Sequence, residues 1–275
     1  MGETVAEIVE SYLADKDKTA IRAQGLRDAW KQSRAHFGAL RPDQITREVC
    51  RAYIRYRRDM GRKPATIRKE IEVVRAGLNF NKQGAAAVFE LPPPPPPRDR
   101  YLSKAEARRL VRAARPFPHI RAFIVLSLAT GARASALLEL TWDRVDLDRR
   151  LIYLARGEAE DQGRKPRAKV PINRRAYRYL RVLKAARTCN HVIEWGGHQV
   201  GSVKKGFASA VAAAKLKGVT PHVLRHTAAS WMAQAGVPMF EISKYLGHSD
   251  TRVTERRYAH LSPDYLRDAA EKLDW

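Results

Sequence analysis

Tyr258 closes a run of groups able to grip or protonate a phosphate: Arg133, a basic stretch around Lys165, His222, Arg225 and His248 precede it in that order. A phenol is a poor nucleophile toward peptides and a workable one toward phosphate diesters. Attack by an oxygen builds negative charge on the non-bridging phosphate oxygens, and preorganised guanidinium forks stabilise that charge. Arg133 and Arg225 are the candidates for the forks. His222 precedes Arg225 by three residues, which places both on one helix face. It could donate to the phosphate or accept the phenol proton. His248 follows the turn Leu246-Gly247 and could bond the same phosphate. Lys165, in a polar stretch, would protonate the departing 5′ oxygen, leaving a 3′-phosphotyrosyl link on Tyr258. Metal is not needed for such a reaction, because the cations fill that role, and the sequence offers no carboxylate cluster or Cys/His set with ligand spacing.

The elements that must position these groups are legible as patterns. Pro92–Pro97 is an unbroken proline run, read as a stiff polyproline spacer. It separates residues 1–91 from residues 99–275, with 92–98 as the linker. In the first part, Val5, Ile8, Val9 and Tyr12 form a helical stripe, as do Ile45, Val49, Tyr53 and Ile54, with the basic residues Arg51, Arg55, Arg57 and Arg58 beside them. Pro64 sits where a first-turn proline belongs, ahead of Ile67, Ile71, Val74 and Leu78. Four or five short helices are expected there.

The second part opens on Ser103 with Glu106 three residues on, a capping-box pattern. A buried helix is expected over 120–128, ended by Thr130-Gly131, and another over 134–140. Residues 150–154 and 169–172 read as paired strands with a long polar tip over 157–167. Helices follow over 174–186, 203–215, 221–235 and 239–246, then a short one before Tyr258. A last amphipathic helix is expected over 262–272, with Leu266 and Leu273 inward. The fold class is mainly α with a small β-hairpin, α+β overall.

Composition bounds the partners. The 275-residue chain carries a net charge of +23, which favours a polyanion through counterion release. Both parts are basic, with 18 Lys and Arg against 12 Asp and Glu in residues 1–91, and 34 against 17 beyond. That balance suits two halves of a clamp around double-stranded DNA. Arg51, Arg55, Arg58, Lys63 and Arg68 are the candidate DNA contacts of the first part. Cys50 and Cys189 lie in no metal or redox spacing and read as reduced thiols of a cytoplasmic, nucleoid-associated protein. No stretch approaches the roughly 20 apolar residues of a membrane span, and residues 1–12 lack an apolar signal core.

The strings Thr130–Arg133, His222–Thr227, Leu246–Ser249 and Tyr258–Leu261, taken in this order, resemble those of the tyrosine recombinases, the phage-type integrase family. The resemblance covers the catalytic part, and residues 1–91 resemble the helical core-binding domain of that family. It implies that Arg133 and Arg225 bind the phosphate, that His222 and His248 fill the two histidine positions and that Tyr258 is the nucleophile. Lys165 is the preferred lysine, with Lys169 the alternative inside the closing strand. His226 and His260 read as packing or supporting residues. The family's usual acid three positions after the first arginine is here Ala136, with Glu139 three further on.

The resemblance further implies a site-specific recombinase that cleaves and rejoins DNA, for integration or excision of a mobile element, without a cofactor. It implies a homo-tetramer on core-type sites, with accessory DNA-bending or directionality proteins as further partners. Because the core-binding-like helices begin almost at Met1, a two-domain enzyme needing only core sites is expected. The tail 262–275, with Leu273 and Trp275 as apolar handles, is the candidate for docking onto a neighbouring copy. Rival readings are a non-catalytic DNA-binding regulator on the same fold and a relaxing enzyme of the type IB topoisomerase kind.

Overall fold

A computed structural model describes residues 2–19, 23–94, 100–155, 168–248, 250–262 and 271–273. The chain divides into two compact units, Met1–Arg98 and Asp99–Trp275.

The first unit is helical: α1 (Val5–Thr19), α2 (Ala23–Phe37), α3 (Arg47–Asp59) and α4 (Pro64–Phe80). Thr46 caps α3 by accepting from the Val49 amide, and Pro64 opens α4, where its missing N–H costs nothing. α4 is the hub and packs on α1, α2 and α3. Its stripe Ile67, Ile71, Val74 and Leu78 is fully buried with Val5, Val9, Phe37 and Tyr53. Close approach of α1 requires Gly77, because a Cβ there would stand 2.9 Å from Val9 Cγ2.

Arg57, unlike its neighbours Arg55 and Arg58, is buried. Its side chain is 4% exposed and forks onto the Glu70 carboxylate, Nη2 to Oε1 at 2.7 Å and Nε to Oε2 at 2.9 Å. Tyr53 Oη donates to the same carboxylate at 2.8 Å. Helical spacing explains it, since Arg57 lies four residues after Tyr53 and three after Ile54, on the apolar stripe.

The second unit starts with α5 (Lys104–Ala113), opened by the reciprocal Ser103–Glu106 capping box. α6 (Pro118–Thr130) is apolar on nearly all sides and runs through the core. After α7 (Ala134–Leu138) comes a small antiparallel sheet of β1 (Val145–Asp146), β2 (Leu151–Tyr153) and β3 (Lys169–Pro171), in that order. Ile152 pairs with Val145 on one side and Val170 on the other, and all three are buried. α8 (Arg174–Ala185) leads to a hairpin of β4 (Glu194–Trp195) and β5 (His198–Gln199), then α9 (Lys204–Ala213), α10 (Pro221–Gln234), α11 (Met239–Leu246) and α12 (Arg252–Tyr258). α10 packs along α6. It is pinned to the entry of α5 by Thr227 Oγ1, which accepts from the Leu102 amide, and by Trp231 Nε1, which donates to the Leu102 carbonyl, both at 2.9 Å.

The paired strands and the mainly helical class agree with the sequence reading. β1, β4 and β5 were not expected, because two-residue strands carry no readable alternation. α7 stops at Leu138 rather than 140. Leu273 was expected inward and is instead 78% exposed. It stands in a turn beside Glu271 and Lys272, which are also exposed, with no apolar cover among the described residues. The tip over 157–167 and most of the tail helix lie outside the described residues, as do Leu266 and Trp275. Among the described residues no helix is long and apolar enough to cross a membrane.

Candidate active site

Two left-handed glycines aim Arg133 and His248. Gly131 ends α6 at φ 60°, a conformation that costs glycine little. A Cβ at Gly131 would also stand 2.6 Å from Leu246 Cδ2. The turn places Arg133 at the start of α7. Gly247 ends α11 at φ 67° and turns the chain into His248. α10 supplies His222, Arg225 and His226, and α12 ends on Tyr258. Tyr258 packs with Ala229, Ala233, Ile242 and Leu246 in a small core of its own.

Arg225 is 5% exposed. Its Nη1 donates to the Gly131 carbonyl at 2.8 Å, and its buried Nη2 has no protein partner. Burial, then the nearby Arg133 charge, pulls the guanidinium down to about 10. A buried guanidinium with an unsatisfied donor, standing in the field of another cation, is costly unless an anion joins it. Ala136 is buried, so the usual acidic position offers no carboxylate, and the acceptor that holds Arg225 is the Gly131 carbonyl.

His248 Nδ1 bonds Thr254 Oγ1 at 2.8 Å, and Thr254 is fully buried. His226 Nδ1 lies 2.5 Å from Tyr258 Oη. His222 is exposed, and its ring stands edge-on to that of His226 with centroids 4.4 Å apart. The structure therefore brings Arg133, Arg225, His248 and Tyr258 into one electrostatic neighbourhood, with His222 at its exposed rim. His226 stands against the phenol itself. The sequence reading missed that contact, although its spacing of four residues from His222 was a usable sign.

Burial pushes the Tyr258 phenol up to about 12, with Arg257 and Arg225 pulling the other way. Burial is also the main cause holding His226 and His248 down near 4. Arg257, His222, Arg225 and His248 add to it at His226, and Arg225 and Arg133 at His248. At neutral pH both histidines and the phenol are thus uncharged. A pH dependence of folding follows. The unfolded histidines take up protons near their ordinary value of 6.5, while the folded ones resist until about 4. The stability they confer is present above pH 6.5 and is lost as pH falls toward 4. At ~1.4 kcal/mol per pH unit, His226 alone accounts for about 3 kcal/mol at the acid end. Melting temperatures measured across that range without DNA should fall steeply, and less steeply for His226→Asn. A flat profile in the unsubstituted protein would contradict the assignment of neutral buried imidazoles.

Lys165 lies outside the described residues. Lys169 opens β3, and its Nζ sits 5.0 Å from the centre of the Tyr153 ring. Among the described residues no group of His, Cys, Asp and Glu is arranged to hold a metal ion. In the first unit, Arg55, Arg58 and Lys63 are exposed. Arg51 is paired with Glu90, Nη2 to Oε2 at 2.9 Å, and Arg68 is shared between Glu72 and the Pro92 carbonyl, each at 2.8 Å. Those two arginines already have intramolecular acceptors.

A helical second unit with a small sheet, a buried tyrosine on its last described helix and a pair of converging arginines define the class of this molecule. The chain belongs to the phage integrase family, whose profile it matches over residues 100–264. It is 29% identical over 205 residues to the integrase of Salmonella phage P22, covering 69% of this chain and 51% of that one. It is 32% identical over 186 residues to tyrosine recombinase XerA of Thermococcus kodakarensis, covering 62% and 61%. The matches thus span about half to three-fifths of these relatives' length. Among solved structures, the Tn1549 transposon integrase in complex with transposon right-end DNA superposes with a TM-score of 0.80 at 19% identity, over 98% of this chain and 99% of that one. A lambda integrase tetramer bound to a Holliday junction superposes with a TM-score of 0.73 at 17% identity, over 95% and 79%.

Proposed function

We propose that this protein is a site-specific DNA recombinase that cuts and rejoins strands through a 3′-phosphotyrosine on Tyr258. The observation that carries the reading is Arg225: a buried guanidinium beside Arg133, one nitrogen unsatisfied, close to a tyrosine that has no need of cations for packing. A scissile phosphate between Arg133 and Arg225 would satisfy the unpaired nitrogen and offset the like-charge repulsion. The same contacts would stabilise the charge that grows on the phosphate in the transition state. If Thr254 donates to His248 Nδ1, the His248 proton sits on Nε2, the tautomer that can donate to a phosphate oxygen. His222, on the exposed rim, would meet the same phosphate from the solvent side. Lys165 remains our choice for protonating the 5′ oxygen. The bond energy is kept in the tyrosyl ester, so rejoining needs no energy-carrying cofactor.

In this reading residues 1–91 form a core-type DNA-binding domain, residues 92–98 the linker and residues 99–275 the catalytic domain. Arg55, Arg58 and Lys63 are the better phosphate contacts of the first unit, since Arg51 and Arg68 must leave their acceptors to serve. Assembly as a homo-tetramer on two sites follows from one tyrosine per protomer and four strands to exchange. The lambda integrase tetramer on a Holliday junction supports that stoichiometry.

The test is covalent trapping. Nicked duplexes drawn from the DNA flanking the protein's own gene are incubated with it and run on a denaturing gel. A protein–DNA adduct should form with one of them and vanish in Tyr258→Phe. Tight binding to a duplex without any adduct would favour a non-catalytic regulator.

A further inference from the structure

The geometry points to His226, not His222, as the group that takes the phenol proton when Tyr258 attacks; the inference rests on the strand-cleavage reading above. Three observations carry it. His226 Nδ1 is within hydrogen-bond distance of Tyr258 Oη, at 2.5 Å. Both side chains are nearly sealed from water, His226 at 8% and Tyr258 at 4% exposed, so bulk solvent is a poor rival acceptor. His222 is itself exposed and stands edge-on to the His226 ring, so the sealed imidazole on the phenol oxygen is that of His226.

For the proton to pass, the Tyr258 hydroxyl donates to Nδ1, which requires the tautomer of the neutral imidazole that carries its proton on Nε2, the buried nitrogen with no protein acceptor. In the reaction Tyr258 Oη forms a bond to phosphorus and its proton passes to His226 Nδ1. The bond from phosphorus to the 5′ oxygen breaks, and that oxygen leaves as a hydroxyl with a proton from the general acid. On rejoining, the 5′ hydroxyl attacks phosphorus and gives its proton back to the general acid, the bond from phosphorus to Tyr258 Oη breaks, and His226 returns its proton to the phenol oxygen, so the cycle closes with no net proton change. Two neighbouring cations would keep the tyrosine quiet without DNA, because Arg257 and Arg225 oppose a charge on His226. A bound phosphate offsets the arginines and makes the imidazole a better base, so attack is licensed by the substrate.

The probe is a pool of nicked duplexes with randomised sequence around the nick, from which covalent adducts are recovered and sequenced. On the duplex so identified, at neutral pH, His226→Asn should bind DNA and melt like the unsubstituted protein but form adduct about a hundredfold more slowly. Asparagine can hold the phenol from the Nδ1 position but cannot become protonated. His226→Ala should be equally slow and should speed up with added imidazole. Replacing the bridging 5′ oxygen at the cleaved step by sulfur, which leaves without a proton, should restore neither variant.

An asparagine variant at the unsubstituted rate would reduce His226 to a positioning residue and overturn the inference. Recovery with the sulfur substrate would move His226 to the leaving-group side. Faster cleavage by either variant would make the contact a latch that restrains Tyr258. Absence of any adduct from the unsubstituted protein in the pool would remove the strand-cleavage reading, and this inference with it.

Discussion

Arg225→Met should slow adduct formation by about a thousandfold and leave the DNA-free protein at least as stable. Both halves follow from one side chain. The guanidinium is buried, holds a single carbonyl and stands in the field of Arg133. Its charge is a cost to the folded state, of the kind that apolar residues of similar volume relieve by roughly 1–4 kcal/mol in buried ion clusters. Methionine keeps the aliphatic bulk and drops the charge, at the expense of the bond to Gly131. Removal of one preorganised donor at a developing oxyanion costs about 10²–10³ in rate, and methionine also removes the charge behind that donor, so the upper end is expected. Single-turnover adduct formation and thermal unfolding measured on the same preparation check the two halves. A variant that is slow because it is unfolded, or one that stays fast, would contradict the assignment.

Glu70→Ala should destabilise the first unit by about 3–5 kcal/mol. The carboxylate is the shared acceptor of Arg57 and Tyr53, and its side chain is 3% exposed. Hydrogen bonding to Glu70 raises the Arg57 pKa. Burial, then Glu70, raises the Tyr53 phenol as well. Without the acid a buried guanidinium is left with no counterion, which is far worse than having no ion pair at all. The control is the double variant Arg57→Met with Glu70→Leu, which removes both charges and should recover most of the loss. Hydrogen exchange at the amides of α3 and α4 in the full chain reads this unit separately from the other. Equal protection in Glu70→Ala and the unsubstituted protein would mean that the Arg57 charge finds water, and that the network is ornamental.

Those two arginines show how far the sequence carries. Arg225 could be read as a phosphate ligand because its type, its position three residues after His222 and its order before Tyr258 fit one chemistry. Arg57 could not be separated by type from Arg55 and Arg58, though its spacing from Tyr53 and Ile54 placed it on the buried stripe. Its partner Glu70 sat between the apolar positions Ile67, Ile71 and Val74, where a lone acid asks for a counterion. The helices were legible because period 3.6 repeats over ten or more residues. The two-residue strands were not, since β1 is placed by packing around Ile152 and β4 and β5 pair only with each other.

The contact between His226 and Tyr258 was missed for a different reason. Local spacing placed it beside His222, but only the packing of α12 against α10 brings Tyr258 to its Nδ1. No run of residues contains that distance.

The central claim is that Tyr258 becomes esterified to DNA, and the most direct measurement is the mass of the adduct peptide. Protein trapped on a nicked duplex would be digested with protease and nuclease, and the modified peptide sequenced by mass spectrometry. The account predicts a phosphonucleotide carried on Tyr258 through its 3′ phosphate. A nucleotide on another side chain, such as Tyr245 or His248, or one attached through a 5′ phosphate, would contradict it.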